Sequence, residues 1–217
     1  MTYRDSAGRA LDEYPRPSVA ADTAVLTVAD GELCVLLVMS EDSHGGEWRL
    51  PGTFLHPGER LTDAVHRALR EKAGITGLAP RQLHVFDAPD RDDRGWVLSV
   101  AHVDAVPPER LVSAAGVSVV PVADLPALKY DHAEIVGFAV EWLRERYRET
   151  PDPAGLLTGP FTLRRLRQLH ETVLGEGLLP DSFRRAMLPG LQETGATFSE
   201  GRGRPAELYV RIAHPRE

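Results

Sequence analysis

The sequence predicts an α/β fold in two units, an α/β/α sandwich built on a mixed sheet and then a C-terminal winged helix-turn-helix. Three observations carry this reading. β-rich runs flank an amphipathic helical stretch at 61–73 and are followed by a second helical stretch, the element pattern of a mixed sheet between helices. A Pro/Gly-rich run, Glu149-Thr-Pro-Asp-Pro-Ala-Gly155, then breaks the pattern. Beyond it lie two short helical stretches and a β pattern around an Arg/Gly turn. The expected divisions are an N-terminal arm at 1–17, a first unit at 18–149, a linker at 150–160 and a second unit at 161–217.

Residues 1–17 are polar, with Pro15 and Pro17, and read as a mobile arm or an exchanged edge segment. Ser18 to Val28 alternates as a strand, Ala29-Asp30-Gly31-Glu32 is a hairpin turn, and Leu33 to Met39 is the returning strand. The polar stretch 41–47 is a loop, and 48–55 is a short strand broken by Pro51-Gly52. Leu61, Ala64, Val65, Ala68 and Leu69 recur at helical spacing, with Gly74 as a left-handed cap. Further strands are expected at 83–86, 96–103 and 117–122, and a helix at 131–148 with Ile135, Phe138, Ala139, Trp142 and Leu143 on one face. Asp131 is placed as its N-cap, with Glu134 following as in a capping box.

In the second unit Thr162 caps a helix whose stripe is Leu163, Leu166, His170, Val173 and Leu174. Pro180 opens a shorter helix with Phe183, Ala186 and Met187 inward, which leaves Asp181, Arg184 and Arg185 on the opposite face. Strand material at 195–198 and 208–212 flanks the loop SEGRGRPAE.

Composition bounds the function. Of 217 residues, 42% are hydrophobic and 26% charged, as in soluble globular chains. No apolar run approaches the roughly 18–20 residues that span a bilayer, and the polar, acid-containing start argues against a signal peptide. The single cysteine, Cys34, excludes a disulfide framework and a cysteine zinc site, so the expected compartment is the cytoplasm. Net charge is −7, but from Thr162 onward nine Arg face seven acidic residues. An acidic body with a mildly basic tail is the polarity of a chain whose tail touches nucleic acid.

The stretch LPGTFLHPGERLTDAVHRALREKAGI at 50–75 carries the chemistry. It resembles the Nudix hydrolase box, in which a Gly is followed after five residues by Glu and, after seven more, by Arg-Glu-apolar-x-Glu-Glu-x-Gly-apolar. Glutamates at i, i+3 and i+4 share one helix face, where they hold divalent metal against a diphosphate. Aligned on Gly74-Ile75, this chain offers Thr53, Glu59, Arg67, Ala68, Leu69, Glu71 and Lys72. One helix carboxylate has become Ala68 and another has inverted its charge as Lys72, beside the surviving Glu71. A lone carboxylate next to an ammonium is a poor Mg²⁺ site, so no catalytic or metal-ligating residues are assigned and hydrolysis is expected to be absent or very slow. The frame can still bind a nucleotide diphosphate through Glu59, Arg67, Glu71 and Lys72, with Lys72 and Arg67 supplying charge that metal otherwise provides. Alternatively, Arg67 and Glu59 brace the loop as a structural ion pair and Glu71 and Lys72 are solvated. Asp92-Asp93-Arg94-Gly95 is similar to the DPRG-then-strand segment of ADP-ribose-handling Nudix proteins. Arg94 there faces a ligand phosphate or ribose, or else pairs with Asp92 in an exposed turn. His44 and His56 are isolated loop histidines, expected at the surface.

Arg184 and Arg185, with Ser182, are placed as recognition-helix contacts to DNA, Arg164 and Arg165 as backbone contacts, and Arg202 and Arg204 as wing residues suited to a narrow minor groove. The competing reading is a small helical domain with solvated arginines.

Together, YPRPSV at 14–19, LPGTFLHPGE at 50–59, REKAG at 70–74, YDHAEI at 130–135, FTLRRLRQLHE at 161–171, SFRR at 182–185 and GRGRPAELY at 201–209 resemble the Nudix-related, NrtR-like transcriptional regulators of NAD metabolism. The resemblance implies a homodimeric repressor on a palindromic operator in double-stranded DNA, with ADP-ribose or a related nucleotide as effector. It implies no required cofactor, leaves Mg²⁺ open, and implies no membrane. The chain departs from the family at Met39-Ser40-Glu41, where a basic pair is usual, and at Thr53, where the second glycine of LPGG is usual. The rival expectation is an active hydrolase of the ADP-ribose pyrophosphatase type with an accessory basic domain.

Overall fold

In the computed structural model, residues 4–40, 46–111, 114–199 and 205–212 are described. A mixed sheet forms the centre of the first unit. Its strands are β1 (Ser18–Ala29), β2 (Glu32–Met39), β3 (Trp48–Arg49), β4 (Gly52–Phe54), β5 (Arg81–Phe86), β6 (Val97–Ala105) and β7 (Val117–Pro121). The order β3-β2-β1-β6-β5 has β1 parallel to β6, while β4 pairs antiparallel with the first half of β1 and β7 pairs with β2. The parallel pair requires a crossover, and helix α1 (Leu61–Ala73) lies within that connection.

Alternation along the strands explains the layers. Ala21 and Val25 of β1 and Leu36 and Val38 of β2 face α1, whose Ala64, Val65, Leu69 and Ala73 are buried against them. The opposite set, Ala24, Leu26, Val35 and Leu37, packs on helix α2 (His132–Glu149) through Ile135, Ala139 and Leu143. Phe138, expected in that inward face, is 41% exposed and instead stacks on His84 of β5 at 4.8 Å. Gly74 ends α1 at φ 67°, the left-handed cap that the sequence requires.

The second unit comprises α3 (Leu163–Leu174), α4 (Pro180–Met187) and the antiparallel pair β8 (Leu191–Phe198) and β9 (Ala206–Arg211). Thr162 caps α3 by accepting from the Arg165 amide at 3.2 Å. Phe183 and Met187 point inward from α4, but Ala186 does not: it is exposed, because an eight-residue helix packed along one narrow stripe buries only those two side chains. Glu171 holds the turn between the helices, accepting from the Leu178 amide at 2.9 Å and from Arg167 at 2.6 Å.

Two stretches that composition reads as loose are tied down. In the N-terminal segment Asp5 accepts from the amides of Ala7 and Arg9 and from the Tyr14 hydroxyl, and Ala10 is buried. The linker is a packed joint built on Asp152, which is wholly buried with φ +45°. Its carboxylate accepts from the Tyr147 hydroxyl at 2.6 Å, from the amides of Leu156 and Leu157 at 2.8 and 2.9 Å, and from Arg211 of β9. Its amide donates to His170 Nε2 of α3 at 3.2 Å. Leu156, Leu157 and Phe161 then continue the α2 side of the first core into the second unit, where Leu166, Val173 and Phe183 complete it.

Candidate functional site

A cavity of about 150 Å³ opens where β1, the β3–β4 corner, the 91–94 turn and the start of α2 meet. Its floor is a buried polar cluster that begins at Asp22, a charged residue in an otherwise buried strand. Asp22 stands opposite Gly52 in the β1–β4 pairing, and a Cβ at Gly52 would lie 1.8 Å from its Oδ1. The glycine of LPG is therefore fixed by this approach. Ser99 donates to Asp22 at 2.6 Å, His132 Nε2 stands 3.6 Å away and Arg91 3.9 Å away. Burial alone would raise the Asp22 carboxyl, but His132, Ser99 and Arg91 outweigh it and hold the group below the usual carboxylate range. His132 Nδ1 accepts the Leu50 amide at 2.9 Å, which places the ring proton on Nε2, toward Asp22.

Asp131 sits at the N-cap position of α2 but makes no side-chain capping bond. Its carboxylate instead grips buried Arg91 at 2.5 and 2.7 Å, because an arginine with 3% side-chain exposure needs a carboxylate partner more than an exposed helix end needs a cap. Glu134, the other half of the expected capping box, is exposed.

The five residues expected to bind ligand separate into two groups. Arg67 is committed to the loop: it meets Glu59 through two bonds of 2.8 Å, Thr53 Oγ1 at 2.9 Å and the Phe54 carbonyl at 3.0 Å. The Arg67 hydrogen bonds, with the His56 amide, hold the Glu59 carboxyl down at about 2. Glu71 is exposed and pairs with Arg70 at 3.2 Å. Neither Glu59, Arg67 nor Glu71 lines the cavity; Lys72 and Arg94 do. The Lys72 ammonium donates to the Gly52 carbonyl, and burial, then the neighbouring Arg49, hold its pKa below the ordinary lysine value although the residue as a whole is solvent-accessible. Arg94 pairs with buried Asp92 at 2.7 and 2.9 Å while its guanidinium lies 5.1 Å from the Phe54 ring and 4.9 Å from the Tyr130 ring. Tyr130 is held at φ +56°. His56 is exposed, and His44 lies outside the described residues.

Sequence reasoning passed over Asp22, Arg49, Arg91, Tyr130 and His132. The available signals were Asp22, an acid in the strand SVAADTAVLTVA, and the motif YDHAEI, which holds Tyr130 and His132. Among the described residues no cluster of three or more His, Cys, Asp or Glu side chains is placed to hold a metal ion, and no helix is long and apolar enough to cross a membrane.

In the second unit Arg164 and Arg165 near the start of α3, and Ser182, Arg184 and Arg185 on α4, are all exposed. They present a basic, hydrogen-bonding surface on the helix-turn-helix. Arg202 and Arg204 lie outside the described residues.

Comparison with known proteins agrees with both halves. Residues 17–142 match the NUDIX domain family, and residues 153–210 match the NrtR DNA-binding winged helix domain. The chain is 30% identical over 209 residues to the ADPR responsive transcriptional repressor NtrR of Acinetobacter baylyi, covering 91% of this chain and 83% of that protein. The crystal structure of Shewanella oneidensis NrtR complexed with a 27mer DNA aligns with a TM-score of 0.76 at 33% identity, over 89% of this chain and 93% of that one. The NUDIX domain of the same protein complexed with ADP ribose aligns with a TM-score of 0.54 at 29% identity, over 63% of this chain and 95% of that one. A Nudix sandwich whose helix keeps one of three box carboxylates, continuous with a winged helix that exposes arginines, places this chain in the NrtR family of Nudix-fold transcriptional regulators.

Proposed function

We propose that the protein is a transcriptional repressor that acts in the cytoplasm as a homodimer, holds a palindromic operator near genes of NAD synthesis or salvage, and releases it when ADP-ribose enters the Nudix cavity. The observation that carries the proposal is a cation-bearing cavity and an arginine-bearing helix-turn-helix connected by one helix. Tyr130 and His132, at the start of α2, line the cavity, while Tyr147 near its end bonds Asp152 in the joint beneath the DNA-reading unit. An 18-residue helix spans about 27 Å, so a ligand that shifts the first turn of α2 also shifts the seat of α3 and β9. A palindrome needs two reading heads at a fixed spacing, and an effector acts by favouring the arrangement that no longer fits the half-sites. A coupling of about 1–3 kcal/mol suffices for a useful response.

The effector assignment draws on the relatives' named ligand and on cavity walls that carry four cationic side chains, Arg49, Lys72, Arg91 and Arg94, against two carboxylates. The test is a gel shift on the DNA upstream of the protein's own gene, with and without ADP-ribose and Mg²⁺. A retarded complex that dissociates with ADP-ribose, without formation of AMP, is expected. Mg²⁺-dependent release of AMP at an ordinary enzymatic rate would instead establish the hydrolase reading.

A further inference from the structure

We infer that Lys72 is the resident cation of the effector cavity: its ammonium takes the part that a divalent metal plays in a Nudix hydrolase, and a ligand diphosphate binds against it without metal. This rests on the effector reading above and specifies the chemistry of its site.

The residues present do not fit a metal. On the relevant face of α1, Ala68 is buried in place of one carboxylate, and Glu71 is turned to solvent against Arg70. The remaining nearby carboxylates are already engaged. Glu59 is held by both prongs of Arg67, Asp92 by Arg94 and Asp131 by Arg91, while Asp22 accepts from Ser99 with His132 and Arg91 beside it. Mg²⁺ and Ca²⁺ require six or more oxygen ligands, with charged carboxylates among them and water or substrate completing the shell. To gather them here, several of these ion pairs would have to break.

Lys72 is placed differently from those cations. Its ammonium donates to the Gly52 carbonyl, a neutral acceptor at the cavity wall, so its charge is solvated by a dipole and, among the described residues, matched by no hydrogen-bonded carboxylate. Burial and the nearby guanidinium of Arg49 disfavour that charge, Asp22 favours it, and the negative charge of a diphosphate would offset the unfavourable balance. An ammonium has three donors, so it can keep the Gly52 carbonyl and still give two hydrogen bonds to phosphate oxygens. Lys72 thereby puts a positive charge where the Nudix box has a carboxylate, and its attraction for phosphate is independent of metal supply.

The test is calorimetric titration of the full chain with ADP-ribose and, separately, with inorganic pyrophosphate, each in EDTA and in Mg²⁺. Both ligands are expected to bind in EDTA, and Mg²⁺ is expected not to strengthen either, since it only complexes pyrophosphate in solution. Lys72→Met is expected to weaken both by about 10- to 100-fold, the size of a lost charge-assisted hydrogen bond, and Lys72→Arg to retain most of the affinity. Lys72 is solvent-accessible, so thermal melting of both variants should match the parent, and an unchanged melt confirms that affinity alone is being read. Binding of ADP-ribose only with Mg²⁺, or binding in EDTA that Lys72→Met leaves intact, overturns the inference while the effector reading stands. Lys72-dependent pyrophosphate binding without ADP-ribose binding preserves the inference and overturns the effector. Binding of neither ligand overturns both.

Discussion

Replacing Asp152 with alanine should be among the most destabilising single changes available in this protein. The carboxylate serves three donors that have almost no access to water: the hydroxyl of Tyr147, a fully buried residue, and the amides of Leu156 and Leu157, residues 6% and 7% exposed. A fourth, Arg211, is partly exposed. Each stranded buried donor costs about 1–3 kcal/mol. Against that sum stands the cost of burying the carboxylate itself, which burial pushes above the ordinary aspartate pKa and which the alanine removes. The net expectation is a loss of about 3–5 kcal/mol, or roughly 10 °C in melting temperature for a chain of this length. Tyr147→Phe deletes one donor and leaves the carboxylate its other partners, so about 0.5–1.5 kcal/mol is expected there. Urea unfolding followed by circular dichroism measures both. An Asp152→Ala loss smaller than that of Tyr147→Phe would refute the view that this carboxylate holds the joint.

Three further outcomes follow from the same geometry. His170 is fully buried against Tyr147 and Phe183, and burial depresses its pKa to about 4. Below about 6.5 the unfolded chain binds a proton that the folded chain refuses, so stability falls as pH drops from 6.5 toward 4, by up to about 1.4 kcal/mol per unit. His170→Gln, which keeps an acceptor for the Asp152 amide, should flatten that difference in urea midpoints measured across pH. Glu59 has the depressed pKa of a paired acid, so its brace on the loop is complete above about 4.5 and is lost as pH falls toward about 2. The protection of the His56 amide against hydrogen exchange, relative to its intrinsic rate, should fall through that window and already be low in Arg67→Ala at neutral pH, since that amide donates to Glu59 at 2.9 Å. Arg184→Ala and Arg185→Ala should each weaken operator binding and lower the slope of log K against log salt by about 1 if they meet phosphate, or change base preference if they meet guanine. Unchanged affinity and slope in both would move the reading surface elsewhere.

What the sequence made legible was periodic or local. Helices α1 and α3 announce themselves by apolar spacing and end at Gly74 and Gly175, both left-handed, and the Thr162 cap follows from its position before such a stripe. The loop-to-helix pairing of Glu59 with Arg67 was one of two readings, and eight residues of separation brought it within reach of inspection. The cavity floor was not legible, because Asp22, Arg91 and His132 come from three segments far apart in the chain and only the β1–β6 crossover and the start of α2 bring them together. The joint was hidden for another reason. Proline and glycine mark where the backbone turns, and say nothing about whether the turn is dry; at Asp152 it is.

The core that passes from Leu143 and Tyr147 through Leu156 and Phe161 to Leu166 and Phe183 has a bearing on how such a protein can be rearranged. A reading head joined by a loose tether could be cut away or grafted onto another sensor, since each piece would carry its own apolar interior. Here the α2-side interior is held in common, and severing the chain near 150 would expose apolar surface on both fragments. A change of volume at Tyr147, Leu156 or Phe161 is therefore felt on both sides of the joint at once.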